Sequence, residues 1–130
     1  KKSNNLSPRI KVIQKLYNAL INPDAIIEYP KSQYKKFIKD VVTGTLERSD
    51  LIEFQIKSFL ANDINLTKTD KLLKIILFAA IFELMFKHNT PKKVIIREYL
   101  LASEHFLEKI QIGYLNAILD KISKELRKDD

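Results

Sequence analysis

The chain has 130 residues, 45% of them apolar and 30% charged, with 23 basic against 16 acidic side chains, two glycines and no cysteine. That length suits one domain that buries a core without disulfides or a metal, and the composition is that of a soluble globular protein. The lack of cysteine excludes disulfides, thiolate nucleophiles and cysteine-based zinc sites, and two isolated glycines, Gly44 and Gly113, exclude a glycine-rich phosphate loop.

The start, Lys1-Lys2-Ser3-Asn4-Asn5, is polar and reads as a flexible basic tail over residues 1–6, with no apolar leader. Ser7-Pro8 is a helix-start signal: an N-cap hydroxyl, then proline where its missing N–H costs nothing. Ile10, Ile13, Leu16, Tyr17 and Leu20 recur at helical spacing, and Asn22-Pro23 stops the helix. Arg9, Gln14, Lys15 and Asn18 are expected to fall away from this apolar stripe, on an outward basic face. Tyr17, closing the stripe, reads either as a core-edge tyrosine or as an interface anchor.

Residues 22–33 form a connector bounded by Pro23 and Pro30, with Ile26, Ile27 and Tyr29 able to pin it to the body. Tyr34, Phe37, Ile38, Val41 and Thr45 mark a second helix, whose other side carries Lys35, Lys36, Lys39 and Asp40. A third is expected to begin at Ser49 or Asp50, with Glu53 completing a capping box. Its stripe is Ile52, Ile56, Phe59 and Leu60. Thr67 with Asp70 gives the next start signal.

The fourth helix differs in kind. From Ile75 to Phe86 its only polar residue is Glu83. A helix apolar on all sides needs neighbours on all sides, so this is the expected central helix. Its longest unbroken apolar run, Ile75 to Phe82, is shorter than the roughly 20 residues that span a bilayer. Glu83 either reaches water or a tyrosine or lysine at a gap between helices, or receives a protein partner at an edge. Residue physics alone favours the former.

Thr90-Pro91 opens a fifth helix with Val94, Ile95, Tyr99, Ala102 and Phe106 inward. A sixth runs from about Ile112 with Leu115, Ile118, Leu119, Ile122 and Leu126, and is expected to fray at Arg127. The reading is an all-α, compact single-domain bundle of six or seven helices over residues 1–130.

Charge is unevenly spread. Residues 1–48 hold ten basic and four acidic side chains, and the first twenty hold five basic and none acidic. This points to a phosphate-bearing partner, or else to a merely solvated basic face. His88 and His105 lie on separate elements and read as ordinary surface histidines. No nucleophile–base–orienter set is visible, so neither an enzyme nor a cofactor is expected.

Four segments carry a resemblance. They are Arg9-Ile-Lys-Val-Ile-Gln-Lys-Leu16-Tyr17, Leu73 to Leu84 ending in Phe82-Glu83-Leu84, Pro91-Lys-Lys-Val94-Ile-Ile-Arg-Glu98, and Tyr114-Leu-Asn116-Ala-Ile-Leu-Asp120-Lys121. In this order and spacing they resemble the bacterial transcription antitermination factors of the NusB family, across residues 7–123. Arg97 and Ala117 depart from the family's asparagine and glycine. The resemblance implies a cytoplasmic, non-membrane monomer or homodimer. It would bind the boxA sequence of nascent ribosomal RNA leaders with NusE, a small-subunit ribosomal protein, and act on other Nus factors and RNA polymerase indirectly. By position it places Lys2, Arg9, Lys11, Lys15, Tyr114, Asn116, Asp120 and Lys121 near RNA, and Tyr17 and Glu83 against NusE. RNA cytosine-5 methyltransferases of the RsmB type carry a similar helical domain, and a helical protein–protein adaptor without an RNA role is the third reading.

Overall fold

The computed structural model describes residues 7–128 and 130. The expected tail and Lys2 lie outside the described residues. Six α-helices follow in order: α1 (Pro8–Ile21), α2 (Lys35–Glu47), α3 (Ser49–Phe59), α4 (Lys71–Phe86), α5 (Lys92–Ser103) and α6 (Lys109–Leu126). A short 3-10 turn, Leu66–Lys68, precedes α4. The described residues contain no strand, so the all-α expectation holds.

The ends of the helices follow capping chemistry, not always as expected. Ser7 caps α1 as read from the sequence, its Oγ accepting from the Arg9 N–H at 3.1 Å. Asp70, not Thr67, caps α4: its carboxylate accepts from the N–H groups of Leu72 and Leu73. Thr67 belongs to the 3-10 turn instead, held by Asn65. No capping box forms at Asp50: α2 runs almost directly into α3 at Arg48, which makes no side-chain cap bond and whose carbonyl accepts from the Ile52 N–H at 2.9 Å. The capping box sits at α6, where Glu108 and Gln111 exchange bonds, so α6 starts at Lys109, three residues before the expected Ile112.

Helix α4 is the hub. From Ile76 to Leu84 every residue is buried, and α4 packs against α1, α2, α3, α5 and α6. Its all-round apolar character requires this, since each face would otherwise meet water. Helix α2 comes close to α4 at Gly44, where an added Cβ would lie 2.2 Å from the Phe82 ring. Alanine there would overpack the α2–α4 contact. No helix among the described residues is long and apolar enough to cross a membrane.

The candidate nucleic-acid interface and its buried support

The basic face of α1 is smaller than the sequence suggested. Arg9 is 9% exposed. It sits four and seven residues before Ile13 and Leu16, so helical geometry aims it into the core with them. There its guanidinium forks onto Glu83, with Nε to Oε2 at 2.9 Å and Nη2 to Oε1 at 2.7 Å. Tyr99 of α5 donates its hydroxyl to the same carboxylate. The Arg9 guanidinium also lies 4.9 Å from the Phe37 ring centroid and 5.5 Å from that of Tyr99.

This cluster ties α1, α4 and α5 together at one end of the bundle. Burial works against the Arg9 charge, but the hydrogen bonds and attraction of Glu83 outweigh it and raise the guanidinium pKa. Burial, and then the Glu83 charge, push the Tyr99 phenol well above its ordinary value. The phenol therefore stays protonated and acts as donor.

Two expectations about exposure are thus corrected. Arg9 does not stand on the outward face, because its charge is consumed by Glu83. Glu83, with no exposed surface, is not solvated. It is satisfied by a tyrosine, as one reading of the sequence allowed, and by an arginine from a helix 74 residues away in sequence. In this conformation Arg9 offers no guanidinium to RNA, and Glu83 no oxygen to a protein partner.

A second buried cation escaped the sequence reading. Arg127 does not fray. It is 5% exposed and donates to the carbonyls of Leu84 at 2.6 Å, Lys87 at 2.9 Å, Thr90 at 3.0 Å and Glu83 at 3.3 Å. It thereby closes the C-terminal end of α4, where carbonyls lack helical partners and the macrodipole is negative. Asp130 balances the charge, accepting from Arg127 at 2.8 Å and from the Lys92 N–H at 2.8 Å. These bonds, the backbone one first, hold the Asp130 carboxyl below its ordinary pKa. A signal existed in the sequence: Arg127 falls four and eight residues after the buried Ser123 and Leu119, on the inner face of α6.

The remaining site residues divide into two groups. Lys11 and Lys15 are half-buried on the outer side of α1, and Tyr17, also half-buried, lies further along the helix. Lys15 Nζ donates to the Glu28 carbonyl at 2.6 Å. On α6, Tyr114, Asn116, Asp120 and Lys121 are all exposed. Three of these four are already engaged. Tyr114 donates to the Asp63 carbonyl and Lys121 to the Asp63 carboxylate, each at 2.7 Å, while Asp120 pairs with Lys124 at 3.1 Å. Burial, then the Asp63 charge, raises the Tyr114 pKa. The two groups do not converge: α1 packs on α2, α4 and α5, and the α6 group is anchored to the α3–α4 connection.

Of the positions that depart from the resemblance, Arg97 and Ala117 are both exposed. His88 and His105 are exposed too, and no cluster of metal-ligating side chains forms among the described residues.

The NusB family model matches residues 4–124. A transcription antitermination protein NusB of Rhodopseudomonas palustris is 31% identical over 94 residues, covering 72% of this chain and 54% of that protein. One from Rickettsia conorii is 30% identical over 122 residues, covering 88% of this chain and 76% of that one. The chain thus spans about half the length of the Rhodopseudomonas relative. The solved structure of Thermotoga maritima NusB superposes with a TM-score of 0.79 at 21% identity, over 91% of this chain and 89% of that one, which supports the same fold. With the family model matching nearly the whole chain, this protein belongs to the NusB family.

Proposed function

We propose that this chain is a transcription antitermination factor that binds boxA-type single-stranded RNA of ribosomal RNA leaders together with NusE. Family membership supports the reading, and one observation carries it. Among the described residues the α1 lysines, Lys11 and Lys15, have no carboxylate partner and face a concave surface with no acidic side chain in its lining. A charge held near the surface without a partner is available to a phosphate, and its counterions are released on binding.

The α6 group makes a second contact in this reading. The Tyr114 ring and the Asn116 amide suit unpaired bases, and Asp120 suits a base amino group. Lys121 and Asp120 must loosen Asp63 and Lys124 to engage, so this face discriminates more than it attracts. Tyr17 serves as a NusE contact, and Glu83 contributes indirectly by fixing the angle of α1 through Arg9.

Fluorescence anisotropy with a boxA oligonucleotide tests this. Affinity should fall by roughly tenfold or more across a fourfold rise in salt, as several phosphate contacts require, and should increase when NusE is added. Salt-indifferent binding, or no gain from NusE, overturns it.

A further inference from the structure

Beside α1 lies a cleft of about 230 Å³, formed with the connector and the start of α2. Four lysines line it: Lys11 and Lys15 from α1, Lys31 from the connector and Lys35 from α2. Tyr29 and Ser32 also line the wall, and no acidic side chain is among the lining residues. The lysines come from two stretches of chain, residues 11–15 and 31–35, so the concentration of charge is a product of the fold and not of one helix face.

The Lys15 ammonium is positioned here without being neutralised. Lys15 Nζ is held by the Glu28 backbone carbonyl and lies 5.4 Å from the Tyr29 ring centroid. Lys39 Nζ lies 5.9 Å from the same ring. A carbonyl and an aromatic ring restrain a cation while leaving its full charge. The nearby Asp40 carboxylate is spent on Lys36 and Lys87, and Glu28, whose carbonyl holds Lys15, keeps an exposed side chain.

Helix α2 adds to this field. It is 13 residues long, has no side-chain cap at its N-terminus and no acid in its first turn, so its partial positive charge is uncompensated at the cleft. A concave site of one sign draws in counter-charge.

We propose that this cleft is a subsite for consecutive phosphates of single-stranded RNA, with Lys31 and Lys35 extending the RNA track from the outer face of α1 across the connector. The inference rests on the RNA-binding reading above and adds to it residues that the family resemblance does not supply. A free polyphosphate or nucleotide shares the chemistry, and competition separates the two.

The test is the double variant K31A/K35A against the unaltered chain, read with a fluorescent boxA oligonucleotide over a range of salt. Both positions are exposed, and circular dichroism checks that the helices are retained. Affinity should drop at least fivefold. The slope of log affinity against log salt should shrink by about 1.4, since each single-strand phosphate that a lysine neutralises adds about 0.7 to it. The control K57A/K128A, at lysines already paired with Glu53 and Glu125, should leave both unchanged. An unaltered slope in K31A/K35A, while the parent chain binds RNA, overturns the subsite and spares the RNA-binding reading. No binding by the parent chain, alone or with NusE, overturns both. Displacement of the RNA by inorganic tripolyphosphate at concentrations comparable with the oligonucleotide's own, far below those needed for salt screening, would identify a free-polyphosphate site and overturn the RNA track.

Discussion

Arg9 and Lys11 stand two residues apart on one helix, and the fold puts their charges to opposite uses. Arg9 turns inward and is matched by two bonds to Glu83, with Tyr99 donating a third to the same carboxylate. Lys11 turns outward into a cleft where four lysines meet no carboxylate. In the buried cluster every charge has a stoichiometric partner, so its role is completed within the chain. In the cleft the charge is left over, so its balance must come from outside. Desolvation explains the division. A buried ion without a partner costs several kcal/mol, on the order that unfolds a domain. A half-wet lysine costs little, because water and salt screen it.

The sharpest way to break the buried side is Glu83→Ala. It strands the Arg9 guanidinium in the core and removes the acceptor of Tyr99. Stability should fall by about 3–5 kcal/mol, measured by urea unfolding. Replacing Arg9 and Glu83 together by apolar residues of similar size should recover much of that loss, because no unpaired charge remains. A change below about 1 kcal/mol for the single variant would mean that the pair does not support the fold.

Arg127→Ala comes next. It leaves the Leu84 carbonyl without its buried donor at the end of the central helix, while the Lys87 carbonyl keeps the Thr90 N–H. About 2–3 kcal/mol should be lost, since buried acceptors left unmade cost more than the average hydrogen bond contributes. Hydrogen exchange should show the last turn of α4 opening first. Uniform protection along α4 would count against the capping role.

The sequence carried the fold further than the site, for a physical reason. The start of α1, the central position of α4 and the inward Ile95, Tyr99 and Ala102 of α5 follow from local capping and from periodicity, which act within a few residues. Glu83 stands out in the sequence as a lone carboxylate in an apolar stretch, and the sequence allows it a tyrosine partner. The identity of its cation does not show there, because Arg9 lies 74 residues away and basic residues near a chain start read naturally as surface. Helical phase held the missing signal, placing Arg9 with Ile13 and Leu16, and Arg127 with Leu119 and Ser123. The lysine cleft was not legible at all. Lys31 and Lys35 sit in and beside a connector with no periodicity, and only the path of residues 22–33 brings them to Lys11 and Lys15.

The smallest expected effect sharpens the comparison most, because its sign is opposite. Lys11 has no carboxylate to lose, and Lys15 stands four residues on, where like charges on a helix repel by about 0.2–0.5 kcal/mol. Alanine is also the better helix former, though the margin over lysine is small. Lys11→Ala should therefore raise stability by a few tenths of a kcal/mol at low salt. The gain should vanish at high salt, where the repulsion is already screened. RNA affinity should move the other way and fall. Urea midpoints at two salt concentrations, set beside anisotropy on the same samples, read both quantities. A loss of stability above about 1 kcal/mol that persists in salt would place Lys11 with Arg9 among the structural charges. A small salt-dependent gain with weaker RNA binding would show that the fold carries this charge at its own expense, for a partner that supplies the phosphate.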